Sequence, residues 1–418
     1  MFVISLYLTT LIIAPQLWVD AIKDFPVDYV LYPVWFVALL ARGKLGKLFE
    51  FRTIDWLLLA FILWGLASML LNPGNTLTNT YIVDYIRFFL VFKLVQATAP
   101  TMPELRRVMW VILVFVMIIV VEGIQHKLSP DGLGWAGQRL GWVDPSVLAA
   151  GGTGRTRWVN IFDGPGVFCV IYTMGLPIVL VMLGPPFGWF ARLLGLVMLG
   201  PLLVATYFTG SRGGLLAALA ILGLYFLIRL KISVTKIGIV AAAVGAIYMA
   251  APAHMTQIRD ENRSAQYRVE MWAQGLNMVK HDPLFGIGRG NYRKYTGRLI
   301  AHSSPIELMG ETGMMGLFLW VTMLYASIKG LMLMRAGPYD ERDKAHATAL
   351  VLIMIGYIVS ALFVTLEYET LYFLVGLCAI VASNLKDPLK LGKWDWAICA
   401  GIPVMWFGIV QVFAVSYF

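Results

Sequence analysis

Apolar blocks of roughly 17–25 residues recur along most of the chain, among them TIDWLLLAFILWGLASMLL at 53–71 and RVMWVILVFVMIIVVEGIQ at 107–125. That is the length an α-helix needs to cross a hydrocarbon core of about 30 Å. Lipid offers no water to backbone N–H and C=O groups, so such blocks must close their hydrogen bonds internally, as helices. Composition agrees. The chain is 59% hydrophobic and 14% charged, where a soluble chain carries about a quarter charged residues. The expected fold class is therefore all-α, a polytopic membrane protein of about 12–13 spans with one long external loop. The blocks place spans near 2–19, 27–41, 54–71, 80–97, 107–125, 163–183, 190–209, 213–228, 236–252, 305–328, 346–366, 370–385 and 394–415. The first run has no basic segment before it and no small-residue cleavage site, so it reads as a span rather than a leader. Cys169, Cys378 and Cys399 all lie inside apolar runs and show no metal or disulfide spacing.

Charge sets the orientation. With the N-terminus in the cytoplasm, the short basic connections RGKLGKLFEFR, PTMPELRR, KGLMLMRAGPYDERDK and KDPLKLGK all fall on the cytoplasmic side, as the positive-inside rule requires. Two external segments remain, 126–158 and 253–304. The chain then divides into an N-terminal bundle (1–252, with the external segment 126–158), a long periplasmic loop (253–304) and a C-terminal set of spans (305–418). The long loop carries Arg259, Arg263, Arg268, Lys280, Arg289, Arg293, Lys294 and Arg298. Long loops translocate regardless of charge, so these cations leave the topology intact and point to an anionic partner outside the membrane. Anionic lipid headgroups are the plain alternative. Within the loop, SAQYRVEMWAQGLNMVKHDP places Tyr267, Met271, Trp272, Leu276 and Val279 at helical spacing. It reads as an amphipathic helix along the membrane surface, capped by Ser264 and ended by Asp282-Pro283. The GIGRG that follows is no nucleotide loop, because no strand precedes it and no GK[ST] follows. Nothing in the chain calls for nucleic acid.

Three arginines stand apart. Arg212 in TGSRGGLLAAL begins a span, where a cation opposes the helix dipole but free N–H groups suit an anion. A phosphate site and a headgroup anchor both fit. Arg87 in YIVDYIRFFL lies about two turns inside a span, where charge is costly; Asp84 three residues earlier can pair with it. Arg268 precedes Trp272 by one turn, so it can stack on the indole or meet a ligand. Arg155 and Arg157 in GGTGRTRWVN suit the headgroup reading better.

AHSSPIELMGETGMMG, at 301–316, opens the tenth block. Ser304, Pro305 and Glu307 have the pattern of a capping box with proline at the first helical position. Gly310, Gly313 and Gly316 form a small-residue stripe of the kind that lets membrane helices approach. His302 stands two residues before the cap, at the lipid–water boundary. Nearby arginines and a helix N-terminus disfavour imidazolium, and neutral imidazole is the form that serves as a general base. A headgroup-bonded interfacial histidine is the other reading, and it suits His126, His254, His281 and His346.

Residues 302–316 read H-S-x9-G-x-x-G and Arg212–Leu216 reads R-x3-L. These patterns resemble motifs of the O-antigen ligases of Gram-negative bacteria, and RVEMWAQGLNMVKHDPLFGIGRGNY at 268–292 resembles the long periplasmic loop those ligases share with O-antigen polymerases. The likeness covers about 210–320. It implies an inner-membrane enzyme with a periplasmic active site in lipopolysaccharide biosynthesis. Such an enzyme moves a glycan from undecaprenyl diphosphate to a sugar hydroxyl of the lipid A core by inverting, metal-independent transfer. It also implies His302 as base, with Arg212 and Arg268 holding the diphosphate and Arg289 and Arg87 as further candidates. No cofactor is expected, and no DxD motif is present to carry a divalent ion. These ligases usually have twelve spans rather than thirteen. A polymerase, a protein O-oligosaccharyltransferase and, from a different class, a lipid-linked glycan transporter are the competing functions.

Overall fold

The computed structural model describes residues 1–23, 25–72, 78–141, 154–229, 263–297 and 299–417. The expected span 236–252 and the start of the long loop lie outside them. The described residues are mostly helical, with no strand beyond two isolated bridges, Leu133 with Arg139 and Gly141 with Arg155.

The helices are α1 (Phe2–Leu8, continued by a π turn Thr9–Ile13), α2 (Val27–Ala41), α3 (Thr53–Leu71), α4 (Thr78–Thr98), α5 (Met102–Leu128), α6 (Pro165–Met182), α7 (Trp189–Phe208), α8 (Arg212–Arg229), α9 (Arg263–His281), α10 (Ser304–Ala336), α11 (Glu341–Ala361), α12 (Glu369–Ser383) and α13 (Lys393–Tyr417). Among the described residues, 8 helices are long and apolar enough to cross a membrane: α3, α5, α6, α7, α8, α10, α11 and most of α13. The first block yields only the short α1 and its π turn, and α2 and α12 are also shorter. Helix α4 has the length but carries Asp84, Arg87 and Lys93. The protein is an all-α, multi-pass membrane protein.

The chain folds into two compact units, each assembled from separated segments. The first is Met1–Leu45, Ala97–Gln257 and Met334–Ser360. Its centre is α6, buried along its whole length between α5, α7 and α8. Helix α5 starts with a capping box: the Thr101 hydroxyl accepts the Glu104 N–H, and the Glu104 carboxylate accepts the Thr101 N–H at 3.3 Å. Ion pairs Lys44–Glu104 (2.6 Å) and Arg106–Asp343 (3.0 Å) lie near the same helix start.

The second unit is Gly46–Gln96, Ile258–Leu333 and Ala361–Phe418. The amphipathic α9 ends at His281, just before Asp282-Pro283 as expected, but Ser264 lies inside its first turn rather than at the cap. Most of the apolar face of α9 finds protein rather than open lipid, with Tyr267 left exposed. Val269, Met271, Leu276, Met278 and Val279 are buried, Trp272 meets Phe413 of α13 at 6.0 Å, and Gly275 packs on Ile306 of α10. The three cysteines are free and buried.

Candidate active site

The site is built around a break in α10. At Gly313 the backbone turns to φ 70°, ψ −175°, which ends one helical segment and starts another. Only glycine adopts this region at little cost, and a Cβ here would lie 2.2 Å from the Leu284 carbonyl oxygen. A broken helix leaves carbonyls and an N–H without helical partners, and in a membrane protein these must be satisfied by protein. The loop 282–291 does so. Ile287 N–H donates to Gly310, Gly288 N–H to Glu311, and Met314 N–H to Pro283. Helix α3 completes the set. Ser68 donates its hydroxyl to the carbonyls of Phe285 and Glu311, Trp64 donates its indole N–H to Thr312 at 3.0 Å, and Trp64 stacks on Phe285 at 4.4 Å. The glycine stripe therefore works differently from expectation. Gly313 admits the loop, Gly310 lies against Met278 of α9 and the Tyr292 ring, and Gly316 faces a neighbouring membrane helix at Trp64.

The start of α10 departs from the capping-box reading for a related reason. Ser304 opens the helix, but its hydroxyl accepts the Leu366 N–H at 2.8 Å and donates to the Val364 carbonyl at 3.3 Å. Glu307 accepts from the Thr365 hydroxyl at 2.8 Å. Both polar groups of the pattern hold the loop 362–368 instead of the helix end.

His302 lies just upstream, with a left-handed backbone, φ 51°. A non-glycine residue keeps that conformation only where its surroundings impose it. Here Ala301 and Ser303 on either side are fully buried, and the Ala301 carbonyl accepts the Trp272 indole N–H at 3.0 Å. The imidazole is half-buried. Burial, then Arg268, then Arg293 push its pKa down to about 4, so it is neutral at ordinary pH. Arg268 thus lies within the electrostatic reach of His302, while Trp272 is engaged with Ala301 and Phe413.

Arg289 has a different setting from the exposed cation its loop suggests. It is buried, 2.6 Å from Glu311, ion-paired with Glu367, and 5.4 Å from the centre of the Tyr81 ring. Burial alone would lower its pKa; Glu367 and then Glu311 more than offset that and hold it well above the usual range. The Glu367 carboxyl is pushed up to about 7 by burial, with Arg289 pulling the other way. Arg87 is half-buried on α4. Asp84, one turn earlier, interacts electrostatically with both Arg87 and Arg289.

Arg212 belongs to the other unit. It is the first residue of α8, whose N-cap Ser211 accepts the Gly214 N–H at 3.1 Å. Arg155 lies across Gly210, and its pKa is lowered by burial and then by Arg212, so two guanidiniums share that turn. Sequence reasoning gave Thr365 no role, counted Arg293 only among the cations of the long loop, and took Trp272 for a stacking partner of Arg268 rather than a support of Ala301. The pairing of Arg289 with Glu311 and Glu367 leaves no trace in residue spacing along the sequence.

The segment that contains most of these residues has a known counterpart: residues 196–321 match the family model for O-antigen ligase. Over that stretch the chain is similar to the O-antigen ligases. The matched segment begins in α7 and ends in α10, so it includes Arg212, Arg268, Arg289 and His302; Arg87 and Glu367 fall outside it. A search of curated proteins returns no match to the chain.

Proposed function

We infer that the protein is an O-antigen ligase of the bacterial inner membrane, with its active site on the periplasmic side. It transfers a glycan from undecaprenyl diphosphate to a sugar hydroxyl of the lipid A core. The observation that carries this reading is a histidine held neutral beside arginines, at the mouth of a membrane helix inside the segment that matches the O-antigen ligases.

The chemistry balances with these groups. The acceptor hydroxyl gives its proton to a ring nitrogen of His302. Its oxygen attacks the anomeric carbon from the face opposite the leaving group, the bond from that carbon to the diphosphate oxygen breaks, and undecaprenyl diphosphate departs. Arg212 and Arg268 hold the diphosphate and stabilise its growing charge, so neither a general acid nor a divalent ion is required. The His302 proton then passes to solvent. A pKa near 4 makes the empty site a weak base. A bound diphosphate brings negative charge to Arg268 and Arg293 and raises the basicity of the imidazole when the donor is in place.

Donor binding and transfer, measured separately on purified protein, test this. His302→Ala should lose transfer and keep donor binding, whereas Arg212→Ala should lose both. Transfer should survive EDTA; loss restored by magnesium would defeat the metal-free mechanism. Single cysteines at Lys294 and Glu341, both exposed, should label from opposite sides of the membrane. Gene deletion separates the related activities: lipid-linked polymer accumulating beside unextended core marks the ligase, and short unpolymerised units mark the polymerase.

A further inference from the structure

We propose that Glu311 and Glu367, acting through Arg289, are positioning residues for His302. The inference rests on the reading of His302 as the base. Arg289 joins three segments far apart in sequence: the loop 282–291, the first half of α10 through Glu311, and the loop 362–368 through Glu367. The same segments fix both flanks of the histidine.

One arm runs from Glu311. Its carboxylate takes Arg289 and also the backbone N–H of Tyr292 at 2.9 Å. The Tyr292 hydroxyl donates to the Met271 carbonyl at 2.5 Å, which fastens α9. From α9, Trp272 holds the Ala301 carbonyl and Arg268 acts on the imidazole. The other arm runs from Glu367 along its loop. Thr365 holds Glu307, while Leu366 and Val364 hold Ser304. His302 lies between Ala301 and Ser304, at the place where the two arms meet, in a backbone conformation it would not keep alone.

Stability alone gives no reason for this cluster. Replacing a buried ion pair by apolar groups of the same shape is often neutral or stabilising. Two carboxylates on one buried guanidinium make better sense as a fixed register between loops. A small misplacement of a catalytic group costs up to about 100-fold in rate, which is what the register prevents.

The test is Glu367→Gln, which keeps shape and removes charge, compared with His302→Ala and wild type. The expected result is a folded protein with kcat lowered about 10- to 100-fold and unchanged donor affinity. The acid limb of kcat/KM should also move up, because a loosened imidazole is better solvated. Wild-type kcat per folded molecule with an unmoved acid limb, beside an inactive His302→Ala, would overturn the positioning role and leave the base intact. An active His302→Ala would instead overturn the reading of His302 itself. Thr365→Val is the second variant, for use if Glu367→Gln does not accumulate. It cuts only the loop's bond to Glu307 and should shift kcat and the acid limb in the same direction by less; no shift in either would overturn the proposal.

Discussion

At one end of α3 the Lys93 ammonium meets the Asp55 carboxylate at 2.5 Å; near the other end, about 20 Å along the helix, Ser68 helps to support the loop that carries Arg289 to Glu311 and Glu367. Both clusters are buried and both belong to the same unit. The first is closed. Lys93 also donates to the Glu50 carbonyl and lies 4.7 Å from the centre of the Phe51 ring, and Asp55 accepts the Arg52 N–H, so one cation and one anion satisfy each other among nearby residues. The second is open, with one cation, two paired carboxylates and a third, Glu307, within electrostatic reach. The closed pair clamps α3 to α4. The open cluster joins loops, and those loops hold a histidine. Buried charge in a membrane protein marks function by default, yet here only one of the two clusters borders a candidate active site.

The largest effect that would sharpen this contrast is at the open end. His302→Ala should lower transfer by about 10²–10⁴-fold, the usual contribution of a positioned base, while the folded yield stays near wild type. Lys93→Ala should do the reverse, because it strands the Asp55 carboxylate in the interior. A loss of about 3–5 kcal/mol is expected, read as a lower midpoint of thermal unfolding in detergent. Turnover per folded molecule should hold. A Lys93→Ala protein of normal stability and poor turnover would mean that the closed pair serves the reaction rather than the fold.

Gly313→Ala comes next. The added Cβ meets backbone at Leu284 in a left-handed conformation, so at least about 1–3 kcal/mol is at stake. Gly316→Ala meets side-chain atoms of Thr312 and Trp64 and should cost less. Equal unfolding midpoints for the two variants would argue against the docked loop.

The smallest effect is seen only in acid. The folded pKa of His302, about 4, lies below the ordinary 6.5, so the reactive neutral form persists until pH falls through about 4. The acid limb of kcat/KM, which reports the free enzyme, should therefore lie near pH 4. The limb of kcat, which reports the donor-bound enzyme, should lie higher, because diphosphate offsets Arg268 and Arg293. Coincident limbs near pH 6.5 would mean that the arginines do not reach the imidazole in solution.

Local signals in the chain are enough for the class of the protein and most of its helices. Apolar block length and helix-stop chemistry are local, so the end of α9 before Asp282-Pro283, the start of α10 at Ser304 and the place of His302 just before it were all legible. Threonine and glutamate at 101 and 104 do form a capping box on α5. The same pattern at 304 and 307 does not, because the hydroxyl and the carboxylate there have better partners 58–62 residues away on the loop 362–368. That choice of partner comes from the packing of distant segments. The same packing also decided that Gly313 breaks α10 to receive a loop, and that Arg289 is matched by Glu311 and Glu367 rather than left exposed. A buried polar group goes to whichever partner the fold brings within about 3 Å, and spacing along the chain does not contain that information.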